Sequence, residues 1–182
     1  MKLFAFTATT FSLAASTFTP AYADEAVVAT APPPKTLGVD ALAVLPVGDY
    51  AEVATFGIGA AARLEIPAGA GFVTGRLGAI FHAINDQGGL ADAASLTLIP
   101  AYVGYRYPLG ALYVAGELGV TFAHLSADTQ FGSMSDTDSE LGFALMAGAR
   151  HGALDLRAGL FAPDASDAVG VMASAGYDFA AF

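Results

Sequence analysis

The 182-residue sequence contains no cysteine, which excludes disulfides and thiolate metal sites. Cations are scarce: Lys and Arg total 7 against 17 Asp and Glu, for a formal charge of −10. A basic nucleic-acid-binding patch is therefore excluded. Long unbroken apolar runs are missing too, although 55% of the residues are hydrophobic and the mean hydropathy is +0.57. After residue 23, charges and Gly, Pro or Asn clusters interrupt every apolar run before the ~18 residues that a membrane-spanning helix requires. There is no sharp break in composition, so one domain preceded by leader segments is expected.

What is present begins with one helix-like apolar block. Lys2 is followed by a Phe-, Leu- and Ala-rich stretch and then by Ala21-Tyr22-Ala23. This order reads as a cleaved secretory signal peptide over residues 1–23. Residues 24–36, with three consecutive prolines, read as an extended linker.

The organising stretch is 98–124, which alternates with period two on either side of Pro108-Leu109-Gly110-Ala111. Ile99, Ala101, Val103, Tyr105 and Tyr107 share one face of the first arm; Val114, Leu118, Val120 and Phe122 share one face of the second. So short a link leaves no room for a crossover helix, so the arms are antiparallel. Each is as long as the roughly 9 to 11 residues a tilted strand needs to cross a bilayer.

The same pattern predicts further strands at about 37–45, 54–66, 72–84, 140–150 and 154–162, and one from Val169 toward the C-terminus, making eight in all. Short turns follow the second, fourth and sixth strands. Longer polar connections follow the first, third (85–94), fifth (126–139) and seventh (163–167). Short turns on one side and longer loops on the other are the pattern of a bacterial outer membrane barrel with its N-terminus in the periplasm.

With LPVGDYAE at residues 45–52, IPAYVGYRYPLG at 99–110, LYVAGELGVTF at 112–122 and the closing SAGYDFAAF, the chain resembles the small eight-stranded bacterial outer membrane β-barrel family, the OmpA/OmpX-type barrels, over residues 37–182. The resemblance implies an all-β, antiparallel, up-and-down transmembrane barrel in the cell outer membrane. It also implies a monomer in contact with membrane lipid and lipopolysaccharide, without a cofactor. In that family a terminal aromatic is read by the barrel-assembly machinery, and Phe182 stands in that place. Tyr177 and Phe179 are out of phase with Phe182, which requires a bulge or a short tail at the end of the last strand.

The placement of charge agrees with a lipid-facing outside. Arg63, Arg76, Arg106, Arg150 and Arg157 all fall on the less apolar face of their strands, with Asp40, Glu65, Glu117, Glu140, Asp155 and Asp178. On the lipid side each arginine would cost roughly 2 to 4 kcal/mol near the midplane. A lumen filled by mutually paired side chains, with no open pore, is expected. The opposite face carries aromatics in two groups: Tyr105, Tyr107, Tyr177 and Phe179 toward the short turns, and Phe56, Phe81, Phe122 and Phe143 toward the longer loops. Alternation alone is equally satisfied by a soluble, lipocalin-like ligand-binding barrel, which would turn every strand inside out.

The acidic surplus is concentrated in the longer connections, at Asp49, Glu52, Asp86, Asp92, Asp128, Asp136, Asp138, Asp164 and Asp167. Solvation and repulsion against aggregation account for such loops, and so does attraction of divalent cations or a basic partner. No metal site is expected, because His82 and His151 have no clustered partner.

One stretch bears on catalysis. His124-Leu125-Ser126, with Glu140 opening the next strand, resembles the His-x-Ser and Glu of barrel-type lipid A deacylases, in which His activates Ser and Glu orients the imidazole. The Asn that follows Ser in those enzymes is Ala127 here, and Glu140 points inward by parity. The function expected is accordingly structural, surface-interacting or adhesive, with a lipid A esterase as the alternative.

Overall fold

A computed structural model describes residues 33–84, 93–129 and 132–182. The signal peptide, all but the end of the linker, and residues 85–92 with Asp86 and Asp92 lie outside the described residues. Eight strands follow one another: β1 Thr36–Val47, β2 Ala54–Ala68, β3 Gly71–Ile84, β4 Ala93–Leu109, β5 Leu112–Thr129, β6 Gly132–His151, β7 Leu154–Asp164 and β8 Ala168–Ala181. Each is antiparallel to its neighbours, and β8 pairs with β1 from Thr36↔Ala181 to Val47↔Val169, closing the barrel. Closure satisfies the backbone groups that an open sheet would leave at its edges.

The three short turns are built alike. Ala68 pairs with Gly71, Leu109 with Leu112 and His151 with Leu154, so each turn holds two residues, Gly then Ala. Gly69, Gly110 and Gly152 have φ of 58°, 74° and 61°, and among the described residues none other than glycine has positive φ. Positive φ at the first turn position alone is the II′ pattern, whose twist matches that of the flanking strands.

At the other end the structure departs from the sequence reading. Residues 126–129 and 132–139 are strand, not loop: β5 and β6 stay paired as far as Thr129↔Gly132, and β4 runs beside β5 as far as Ala93↔Asp128. Ser135 to Ser139 are exposed one after another, so with water on both faces the apolar alternation that marks a strand is missing. The connection after β1 is Gly48 and a one-turn helix, α1 Asp49–Val53. The connection after β7 shrinks to residues 165–167, because β7 continues through a bulge to Asp164↔Ala168.

The phase of the last strand is resolved by another bulge. Leu37 pairs with Ala180 but Gly38 with Asp178, so Phe179 is the extra residue, and Phe182 then falls on the outward face with Ala180. Lys35 and Phe182 exchange both backbone hydrogen bonds at 3.0 Å, so pairing runs to the last residue.

Side chains sort by parity into two environments. Leu77, Val103, Leu118, Leu141 and Leu156 stand about 60% exposed around the waist. Tyr105, Tyr107, Tyr177 and Phe179 are exposed near the short turns, and Phe56, Phe81 and Phe122 near the other end. An apolar belt flanked by aromatics suits a lipid solvent; in water so large a contiguous patch would drive aggregation.

Candidate functional site

The buried interior holds the charged side chains, in the half of the lumen next to the short turns. All eight strands contribute: Asp40 from β1, Arg63 and Glu65 from β2, Arg76 from β3, Arg106 from β4, Glu117 from β5, Arg150 from β6, Asp155 and Arg157 from β7, and Asp178 from β8. Five guanidiniums meet five carboxylates, and the ion pairs join them into one connected network.

Arg63 is its hub. It is 1% exposed, with Nε 3.2 Å from Asp40, Nη1 2.8 Å from Glu65 and 3.0 Å from Asp155, and Nη2 3.0 Å from Asp178. Arg106 and Arg150 both reach Glu65 Oε2, at 2.8 and 2.9 Å, and Arg150 also lies 3.2 Å from Asp178. Arg157 donates to Asp40 and, at 3.1 Å, to Ser174 Oγ. Glu117 is held less completely: Arg76 Nη2 donates at 3.0 Å, Arg157 Nη1 is 3.5 Å away, and Oε2 has no donor. Coulomb attraction is strong in a dry interior, and near-complete pairing offsets the cost of desolvating ten charges.

Glycines make room for this network. A Cβ on Gly38 would strike Asp178 Oδ1, and one on Gly176 would strike Asp40 and crowd Arg63. Two features were not legible in the sequence: Tyr113 and Tyr102, on the inward face, read simply as aromatics of a strand. Tyr113 is 2% exposed, donates to Asp155 Oδ1 at 2.6 Å and lies under Arg106, whose guanidinium sits 5.1 Å from its ring centroid. Its position one residue after a turn, amid inward charges, was the only available signal.

Above the charges the lumen turns apolar. Val44, Ile80, Leu98, Phe161 and Met172 are buried there, and Tyr102 packs against Phe161 while its hydroxyl pairs with Thr121 Oγ1 at 2.8 Å. α1 then turns Tyr50 into the barrel mouth, where its hydroxyl meets His82 Nε2 at 2.9 Å. His82 Nδ1 meets the Thr55 carbonyl at 2.8 Å; a carbonyl can only accept, so Nδ1 carries the proton and Nε2 accepts from Tyr50. Burial pushes the Tyr50 phenol well above its ordinary pKa, which keeps it a donor. Ionic layer, apolar layer and tyrosine thus fill the interior in succession.

Glu140 is not part of the network. It pairs with Thr121 near the mouth, on the lumen side, and takes part in no ion pair among the described residues. The catalytic candidates are not brought together either. His124 Nδ1 is hydrogen-bonded at 2.9 Å to Thr137 Oγ1, its cross-strand partner, and not to Ser126, while Glu140 lies on the opposite face of the sheet. Parity decides this outcome: His124 and Ser126 share a face, and Glu140, paired with Thr121, cannot reach it. Among the described residues no group of three His, Asp or Glu side chains converges as metal ligands would.

No protein-family model and no curated protein matches the chain. Solved structures do. The attachment invasion locus protein Ail of Yersinia pestis superposes with a TM-score of 0.61 at 15% identity, over 81% of this chain and 99% of that one. Ail in complex with the heparin analogue sucrose octasulfate gives 0.56 at 17% identity, over 80% and 97%. The N-terminal β-barrel domain of Pseudomonas aeruginosa OprF gives 0.50 at 8% identity, over 79% and 97%. At these identities what is shared is architecture, and its terms are those of the geometry above: the chain has the fold of the small eight-stranded outer membrane β-barrel proteins.

Proposed function

We propose that the protein is a monomeric outer membrane barrel with a structural, surface-interacting or adhesive role, and that it conducts no solute. The observation that carries this reading is the filled lumen, in which ten paired charges, an apolar layer and Tyr50 occupy the interior in turn. A barrel of eight strands has an interior just wide enough for its own side chains. What remains for function is the outer end, formed among the described residues by α1, the β5–β6 hairpin and the β7–β8 turn.

In this reading residues 1–23 are removed on export and the Pro-rich segment lies in the periplasm. Phe182, outward-facing and hydrogen-bonded to Lys35, is the signal for barrel assembly. The apolar belt contacts lipid and, in the outer leaflet, lipopolysaccharide. The heparin analogue bound by Ail is a polyanion, and that partner class does not transfer here. The only Lys and Arg of the whole chain are Lys2, Lys35 and the five lumen arginines, so the outer end offers a polyanion no Lys or Arg. Ester hydrolysis is not proposed, because His124, Ser126 and Glu140 are not assembled.

The test is outer membrane fractionation of cells expressing the full chain, followed by gels with and without boiling. The expected result is recovery in the outer membrane and a mobility that changes on boiling, as a folded barrel resists detergent. Recovery as a soluble periplasmic protein overturns the reading.

A further inference from the structure

We propose that the outer mouth of the barrel binds a small amphipathic organic cation, with its apolar body seated in a cup and its ammonium at the acidic rim. This deepens the surface-interacting reading and rests on it only for the cup's access to the exterior.

The cup has a volume of about 360 Å³, within the range that holds small molecules. Tyr50, Leu96, Leu98 and Ala123 give it an apolar lining, with Val53 of α1 on one wall. Thr121, the polar residue of the lining nearest the apolar layer, is turned to Tyr102 by its hydrogen bond, so it offers a ligand little competition for that contact. The apolar layer of Ile80, Phe161 and Met172 seals the lumen beneath, so a ligand enters and leaves by the same opening.

The rim is acidic on several sides at once. Asp138 and Glu140 come from β6, Asp164 and Asp167 from the end of β7 and the turn that follows, and Asp49 from α1. Among the described residues no Lys, Arg or His lines the cup, and every arginine of the chain lies in the network at the other end. A low-dielectric wall beneath charges of one sign focuses their field into the opening. An anionic ligand is repelled by that field. A neutral apolar one would take water from the carboxylates without compensation. A bare divalent ion wants carboxylates that converge, and these are spread around the rim instead of gathered. A body that is apolar at one end and cationic at the other satisfies both parts of the cup.

The test uses the purified, folded full chain in zwitterionic detergent, titrated with phenethylammonium and followed by NMR shifts of the Leu96 and Leu98 methyl groups. Phenylacetate, with the opposite charge, and ethylammonium, without the ring, are titrated in parallel. The expected result is saturable shifts with phenethylammonium alone. D138N/E140Q and, separately, D164N/D167N should each weaken binding about fivefold or more, a loss of about 1 kcal/mol in all. D136N, on the same hairpin but outside the cup, should leave it unchanged. Added salt should weaken it further. Equal response to phenethylammonium and phenylacetate, no saturation, or saturable binding indifferent to both double variants overturns the proposal. Since the titration involves no membrane sidedness, its failure is distinguishable from a failure of the outer membrane assignment.

Discussion

Arg63 touches four carboxylates, whereas Glu117 touches two guanidiniums and leaves Oε2 without a donor, so removing either leaves a different residue of uncompensated charge. Glu117→Ala strands Arg76, whose other acid, Asp40, is 4.0 Å from Nε. Breaking a buried ion pair on one side costs ~3 to 5 kcal/mol, while replacing both partners with packed apolar groups approaches neutrality. Glu117→Ala should therefore lower the temperature at which the boiled-type gel mobility appears, and Arg63→Met should lower it further. Asp136→Ala, on the exposed hairpin, should stay within about 0.5 kcal/mol of the parent. A Glu117→Ala barrel as heat-resistant as the parent would mean that the network contributes no stability. At this scale the inward direction of every arginine was legible from parity alone. Which acid each arginine meets was not, because the lumen joins strands far apart in sequence and their relative heights depend on tilt and stagger. Arg63 and Asp178 are 115 positions apart, and no local pattern connects them.

Elements were readable where one face is covered and the other is not. β2 and β3 begin and end within two residues of the expected bounds, since every second residue from Phe56 to Ile66 and from Val73 to Ala83 is apolar or glycine. The outer part of the β5–β6 hairpin reads as a loop because neither of its faces is covered, and Ser, Asp and Thr then carry no period. The Gly-Ala turns were recognisable as turns, and the structure adds the reason for their common form. Gly110 has φ of 74°, so Gly110→Val forces a β-branched residue into a conformation that costs L-residues roughly 1 to 2 kcal/mol or more. Lower refolding yield and a lower gel-shift temperature are expected, with no change for Ala111→Val at the neighbouring position. Equal loss for both would show that bulk at the turn matters and backbone geometry does not.

For the molecule as a whole, charge is distributed by height. The arginines occupy the lumen near the short turns, and among the described residues the acids outside that network gather at the other end. The eight-strand count and the antiparallel order were legible in the sequence; the division of the lumen into an ionic and an apolar half was not, because Val44, Leu98 and Met172 read only as ordinary strand residues. The absence of native cysteine makes orientation directly measurable. A cysteine placed at Asp136 or Asp164 should react with an impermeant reagent on intact cells, and one at Ala68 or Ala111 should not. Labelling at Ala111 without labelling at Asp136 would invert the barrel. The most direct measurement of the central claim, a membrane barrel whose interior is filled, is the current through the purified, folded protein in a planar lipid bilayer. The account predicts insertion without steady conductance above the lipid baseline. Large, steady unitary currents would mean that the charges, the apolar layer and Tyr50 leave a continuous aqueous path, and would replace this account with a channel.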